Sequence, residues 1–207
     1  MNLDEIPYII YAEETPNPSS IKFVANKLLL VSGASAEYQN VSEATDAPIA
    51  KKLFQFPFVK RLYIASNFIT ITKQDAIDWE EIRDELRVFI TDYLNKGNAI
   101  INKLPQQQVP KDSSFKETVS INTQHVPPSN DIENKIIEVL EQYIRPAVES
   151  DGGLITFKEL KDGVVTVQMR GSCSGCPSST MTLKAGIEAL LKRLLPDHVK
   201  EVVSEAL

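Results

Sequence analysis

Two cysteines lie close together in the run GSCSGCPSST at residues 171–180, and the 207-residue chain contains no others. A Cys-x-x-Cys pair can form a reversible disulfide or give two sulfur ligands to one metal centre. Pro177 suits the first turn of a helix, and the unpaired N–H groups of a helix N-terminus favour the thiolate form. Cys173 and Cys176 are therefore candidate redox or metal-binding residues at the start of a helix.

Three chemistries fit this pair of thiols. A dithiol oxidoreductase places its cysteines between a strand and a helix, but here Gly171 and Ser172 stand where an aromatic residue is usual. Structural zinc needs four protein ligands, so one chain would have to recruit both His125 and His198. An iron–sulfur cluster needs about four thiolates, which two copies of the chain could supply across a twofold axis. The residues alone leave the three chemistries open, although a cluster shared in this way could be passed on.

Composition narrows the class of protein. The apolar fraction of 43% is typical of a globular protein, and the net charge of −6 gives no general attraction to nucleic acid or anionic membranes. The acidic segment MNLDEIPYIIYAEETPNP is unlike a secretory or transit peptide, and no apolar run approaches the ~18 residues that cross a bilayer. The sequence contains neither a phosphate-binding loop nor a histidine cluster, so no motif indicates catalysis. We therefore expect a cytoplasmic protein that is not an enzyme and binds neither nucleic acid nor membrane.

The chain divides at a segment of different composition. The stretch KLPQQQVPKDSSFKETVSINTQHVPPSN is rich in Gln, Pro, Ser and Asn and shows no sustained period. Such a segment buries little apolar surface against the entropy that ordering would cost. We predict a flexible linker over residues 98–130, between one domain at 1–97 and another at 131–207.

The first domain has patterns of both strands and helices. Three runs rich in Val, Ile, Phe, Tyr and Thr, at 21–31, 58–65 and 67–73, predict strands of an antiparallel sheet. Apolar residues at helical spacing predict helices over 48–54 and 78–95, with Trp79 on the apolar face of the second. This is the pattern of a small α+β domain.

The sequence of the second domain predicts helices and strands in the order α-β-β-α-β. A helix begins with Asp131 as its N-cap and is disturbed near its end by Pro146. Strands at 154–159 and 164–169 form a hairpin, and a helix from Pro177 carries an apolar seam at Leu183, Ile187, Leu190 and Leu194 before a final strand. The fold class is therefore α+β, with two small α/β-sandwich-type domains joined by a flexible linker.

The second domain also resembles a known family. The run VQMRGSCSGCPSSTMTLKAGIEALLKRLLP, and IRPAVESDGGLITF before it, are similar to the C-terminal domain of NifU-like (Nfu) proteins, which are iron–sulfur cluster scaffolds and carriers. The resemblance implies that Cys173 and Cys176 ligate a [4Fe–4S] cluster, or a [2Fe–2S] cluster, shared between two subunits of a homodimer. One departure is Leu154, where many members carry Asp, and it affects no ligand.

The first domain resembles the N-terminal domain of many Nfu proteins, through ETPNPSSIKFVAN, FPFVKRLYIASNFITITK and Trp79. It has no cysteine, so the resemblance implies recognition of partners rather than cluster ligation. Pro16 and Pro18 are also explained by a rigid turn that opens a strand. We therefore expect a carrier that takes a cluster from a donor and delivers it to apo iron–sulfur proteins, with a dithiol oxidoreductase as the alternative.

Overall fold

In the computed structural model, the described residues are 6–31, 33–104, 125–174 and 177–206, without the side chains of 177–179 and 206. The chain forms two compact units, residues 1–106 and 107–207. Both contain helices and sheets, which confirms the α+β class. Cys176 and the centre of the predicted linker, residues 105–124, lie outside the described residues.

The first unit is a five-stranded antiparallel sheet with two helices. The sheet order is β1-β2-β5-β4-β3. The elements are β1 (Ile10–Glu14), β2 (Ser20–Ala25), β3 (Ser35–Tyr38), α1 (Pro48–Leu53), β4 (Val59–Ala65), β5 (Phe68–Lys73) and α2 (Trp79–Asn95). The core includes Phe23, Leu86 and Ile90, whose side chains are fully buried. Both predicted helices and the β4–β5 hairpin are confirmed.

The structure differs from the prediction at the edges of this sheet. The predicted strand at 21–31 ends at Ala25, because Leu29 and Leu30 donate backbone hydrogen bonds to the carbonyl of Ser66 in the β4–β5 turn. Strands β1 and β3 were not predicted. Both are edge strands, and the burial pattern of β1 shows one buried residue, Ile10, among partly or fully exposed ones. Edge strands with little apolar alternation give only a weak sequence signal.

The described ends of the predicted linker pack onto the units. Ile100 and Ile101 lie against the core of the first unit, and the N–H of Asn102 donates to the carbonyl of Asp46 at 2.7 Å. At the other end, the N–H of Val126 donates to the carbonyl of Phe157 in the second unit at 3.1 Å. The boundaries 98 and 130 stay predictions.

The second unit begins with a helical segment in three parts: α3 (Asp131–Val139), a π turn (Leu140–Ile144) and α4 (Arg145–Ser150). Its N-cap is Asn130 rather than Asp131, since the Asn130 side chain accepts from the N–H groups of Ile132 and Glu133. Pro146 does not end the helix. The wider π turn directly precedes it and accommodates the missing N–H donor and the bulk of the ring.

The rest of this unit is a three-stranded sheet and one helix, with the predicted α-β-β-α-β order. The elements are β6 (Gly153–Lys161), β7 (Val164–Gly171), α5 (Pro177–Leu194) and β8 (Glu201–Ala206). Strands β6 and β7 form an antiparallel hairpin, and β8 pairs parallel to β7. The buried seam on and just after α5 is Ile187, Leu191 and Leu195, while Leu194 is 45% exposed. The predicted seam was therefore displaced by one residue after Ile187.

Candidate metal centre

The loop between β7 and α5 positions Cys173. Strand β7 ends at Gly171, whose φ of 66° lies in the left-handed region that favours glycine. The N–H and the hydroxyl of Ser174 both donate to the Gly171 carbonyl, at 3.2 and 3.1 Å. This tight turn leads the chain from the sheet towards Pro177, the first residue of α5.

The Cys173 side chain points into the unit. It is 7% exposed and belongs to the hydrophobic core cluster that contains Val167 and Ile187. Its sulfur lies 3.8 Å from the hydroxyl of Ser172, which also donates to the carbonyl of Asp151. The thiol is thus sheltered between the end of β7 and the turn before β6.

Burial raises the pKa of Cys173 to about 11, and the negative charge of Asp151 adds to this, whereas the hydrogen bond with Ser172 lowers it. The thiol is therefore protonated at neutral pH. Burial thus opposes the thiolate form that the start of a helix would favour. A metal ion that binds here displaces a proton.

The two histidines do not complete a zinc site with Cys173. The Nδ1 atom of His125 accepts from the N–H of Phe157 at 2.7 Å, and its Nε2 atom contacts Glu141, so both ring nitrogens are occupied. His198 is exposed. Within the part of the chain that the structure describes, no group of three or more His, Cys, Asp or Glu residues could hold a metal ion.

The other residues near the loop have structural roles. Arg170 donates to the side-chain oxygen of Gln168 at 3.0 Å, and Lys184 forms an ion pair with Glu201 at 3.7 Å. Gly152 has a φ of 79°, in the left-handed region, where the chain turns from α4 into β6. The next residue, Gly153, lies so close to Cys173 that a methyl group on it would be 2.6 Å from the sulfur, and this contact was not predicted from the sequence. The available signal was the second glycine, since a single left-handed residue suffices for the turn.

Two family models match the chain. The model described as "Scaffold protein Nfu/NifU N terminal" matches residues 10–97, and the "NifU-like domain" model matches residues 136–203. The chain therefore belongs to the Nfu/NifU family and carries both of its domains, which confirms the family predicted from the Cys-x-x-Cys-Pro-Ser-Ser run and from the first domain.

Curated relatives are similar to this chain over most of its length. The "NFU1 iron-sulfur cluster scaffold homolog, mitochondrial" of Drosophila willistoni is 34% identical, over 95% of this chain and 64% of the relative. The "NifU-like protein 4, mitochondrial" of Arabidopsis thaliana is 35% identical, over 95% of this chain and 65% of the relative. The chain thus spans just under two thirds of the length of these relatives. The solution NMR structure of a NifU-like protein from Saccharomyces cerevisiae is 27% identical, with a TM-score of 0.43, over 50% of this chain and 92% of that one.

These comparisons correct one prediction. Both curated relatives are named as mitochondrial proteins, so the predicted cytoplasmic location is wrong. The prediction depended on the acidic residues of the segment MNLDEIPYIIYAEETPNP and on the lengths of apolar runs, and neither property identifies a compartment. Separately, among the described residues no helix is long and apolar enough to cross a membrane.

Proposed function

We propose that this protein is a non-enzymatic iron–sulfur cluster scaffold and carrier. Cys173 and Cys176 of two subunits bind one [4Fe–4S] cluster between them, and the cluster is then transferred to apo-proteins. The observation that supports this most directly is the Cys-x-x-Cys pair at the β7–α5 junction of a domain that matches the NifU-like family. The Drosophila relative is named as a cluster scaffold.

The ligand count favours a shared cluster. The chain has two cysteines, and an iron–sulfur cluster takes about four thiolates. Since the described residues hold no other group of metal ligands, a second copy of the chain is the simplest source of the missing two. A cluster bound across such a contact is released when the contact opens. The cluster is then cargo, which suits a carrier better than an electron-transfer protein.

The first domain has a different task in this proposal. It contains no cysteine, so it supplies no thiolate ligand. We assign it the recognition of apo-proteins or of the cluster donor, while the second domain holds the cluster. A [2Fe–2S] cluster would use the same four thiolates, and spectroscopy of the loaded protein distinguishes the two cluster types.

The dithiol oxidoreductase is less compatible with the environment of Cys173. An attacking cysteine needs a thiolate that its substrate can reach. Cys173 is 7% exposed, and burial raises its pKa to about 11. These properties are those of a sheltered thiol rather than of a redox nucleophile.

Anaerobic reconstitution with ferrous iron and sulfide, followed by native mass spectrometry and absorbance, tests the function. We expect two chains with one [4Fe–4S] unit, and no cluster in Cys173→Ser or in Cys176→Ser. His198→Ala is the control and should load normally, because this exposed histidine is not needed as a ligand. A monomer without iron, which instead forms a readily exchanged Cys173–Cys176 disulfide, would contradict the carrier and support the oxidoreductase.

A further inference from the structure

We infer that Gly153 is a positioning residue for cluster ligation, because its missing side chain leaves the space in which the Cys173 thiol lies. A methyl group at position 153 would lie 2.6 Å from the Cys173 sulfur and 3.2 Å from its Cβ atom. Carbon and sulfur do not approach this closely without a bond. This inference rests on the proposed function, since it concerns one of the two proposed ligands.

The sheet brings these two residues together. Gly153 is the first residue of β6 and pairs with Gly171, the last residue of β7. The N–H of Ser172 donates to the carbonyl of Gly152 at 3.2 Å, which extends the pairing past the end of the strands. The hairpin thus sets the backbone of Gly153 directly beside the thiol, and the approach depends on strand pairing rather than on the flexible reach of a side chain.

The conformation of Gly153 does not by itself require glycine. Gly152 has the positive φ that the turn needs, whereas Gly153 is not among the glycines with positive φ. Residues other than glycine can therefore adopt this backbone conformation. What excludes a side chain at position 153 is the close contact with Cys173. Gly186 is a useful contrast, because a methyl group there would meet no atom within 4 Å.

The core determines the direction in which the thiol would be displaced. Cys173 belongs to the same packed cluster as Val167 and Ile187, and both of these side chains are fully buried. A close-packed interior offers no vacant volume for the sulfur. A methyl group at position 153 therefore pushes the thiol away from the core, towards the solvent side of the loop.

The first test measures thiol access in the full-length apo-protein. In a Cys176→Ser background Cys173 is the only thiol, so the rate of alkylation by iodoacetamide reports on it alone. We expect Gly153→Ala to raise this rate by about tenfold, because the thiol becomes accessible. Gly186→Ala should leave the rate unchanged. Equal rates in Gly153→Ala and the parent protein would overturn the inference.

A second test covers the case in which Gly153→Ala folds poorly. The same methyl group would lie 2.8 Å from the carbonyl oxygen of Arg170, and this contact is present whatever residue occupies position 173. We therefore compare the urea midpoint shift caused by Gly153→Ala in the parent and in Cys173→Ala. A smaller shift in Cys173→Ala shows that the thiol occupies this space. Equal shifts would assign glycine to the backbone contact and overturn the inference.

The third test asks whether the placement of the Cys173 thiol by Gly153 affects cluster binding, in the protein that keeps both cysteines. After reconstitution, we expect Gly153→Ala to lose its cluster to a chelator about tenfold faster than the parent, because the methyl group clashes with the Cys173 sulfur and the Arg170 carbonyl and so shifts the loop that holds this ligand. Gly186→Ala should match the parent. If Gly153→Ala retains its cluster as long as the parent does, the inference fails while the carrier function stands. If the parent itself takes up no cluster, the proposed function fails, and the alkylation rates still decide where the thiol lies.

Discussion

Each unit contains a junction where a strand leads into its longest helix, and the two junctions are built from different residues. Between β5 and α2 in the first unit, the indole Nε1 of Trp79 donates to the carbonyl of Pro18 at 3.0 Å, and the ring packs against the core. Between β7 and α5 in the second unit, the loop consists of glycine, serine and cysteine. The large Trp79 side chain fixes the first junction, whereas small residues flank the Cys173 thiol at the second.

This difference shows how one type of connection serves two purposes. An aromatic side chain with a satisfied N–H group fixes a loop by packing and hydrogen bonding. A loop of small residues is held by its own backbone, as the hydrogen bonds to the carbonyls of Gly171 and Gly152 show. Among the described residues of this loop, Cys173 carries the one thiol.

The largest effect on stability should follow from a cavity in the core of the second unit, to which the Cys173 side chain belongs. Phe157 is 1% exposed and lies in the same core cluster as Cys173. Phe157→Ala should reduce the free energy of unfolding by about 3–5 kcal/mol, the usual cost of removing a buried aromatic ring. Urea unfolding followed by far-UV circular dichroism measures this loss, and the folded fraction should bind less cluster. Unchanged cluster loading in Phe157→Ala would show that the loop is independent of its core.

A cavity in the first unit should affect stability but not cluster loading. Leu86→Ala removes a fully buried side chain of α2 and should cost about 2–5 kcal/mol. Trp79 is the only tryptophan in the chain, so its fluorescence reports on unfolding of this unit. Under conditions where the unit is folded, reconstitution of the variant should equal that of the parent protein. Loss of the cluster in Leu86→Ala would contradict the division of tasks between the two domains.

A smaller effect on stability should come from protonation of His125, whose side chain is 2% exposed in the second unit. Its neighbours are the N–H of Phe157 from β6, Glu141 on the π turn, and Arg145, which pairs with Glu141 at 2.6 Å and with Glu149 at 3.5 Å. Burial lowers the pKa of His125, Glu141 partly raises it, and Arg145 lowers it further. The neutral ring is therefore the form that accepts the Phe157 N–H.

The sign of the pH dependence follows from this depressed pKa. The contribution of His125 to stability is present above its ordinary pKa of 6.5 and is lost as the pH falls below that value. Between pH 7 and pH 5 the second unit should become less stable by up to about 2 kcal/mol, because the unfolded chain takes up one proton that the folded His125 resists, at about 1.4 kcal/mol per pH unit below 6.5. Urea titrations at both pH values measure this change. His125→Ala should remove most of the dependence, whereas the exposed His198→Ala should retain it; a parent protein with no pH dependence contradicts the prediction.

Local patterns predicted much of this structure, and contacts between distant segments account for what was missed. Helix α2 and the β6–β7 hairpin were found from apolar patterns, which are properties of short windows. The cysteine pair was found because its spacing and its flanking residues are local too. By contrast, the burial of Cys173 depends on packing with distant segments, through residues such as Ile136 and Ile187, and its contact with Gly153 depends on the exact register of the β6–β7 pairing. The same holds for His125, which sequence composition assigned to a linker but which hydrogen-bonds to β6.

The smallest effect should be seen at the aromatic junction. Trp79→Phe keeps a ring against the core but removes the N–H group that donates to the Pro18 carbonyl. We expect a loss of about 1 kcal/mol, the usual net contribution of one hydrogen bond at a partly exposed site. Because this variant removes the only tryptophan, unfolding is followed by far-UV circular dichroism. Cluster loading should not change, since a rigid loop in the first unit supplies no ligand. Trp79→Phe could instead slow cluster delivery to an apo-protein while loading stays normal. That result would show that the loop around Pro18 takes part in recognition, so that the large side chain at this junction serves function as well as stability.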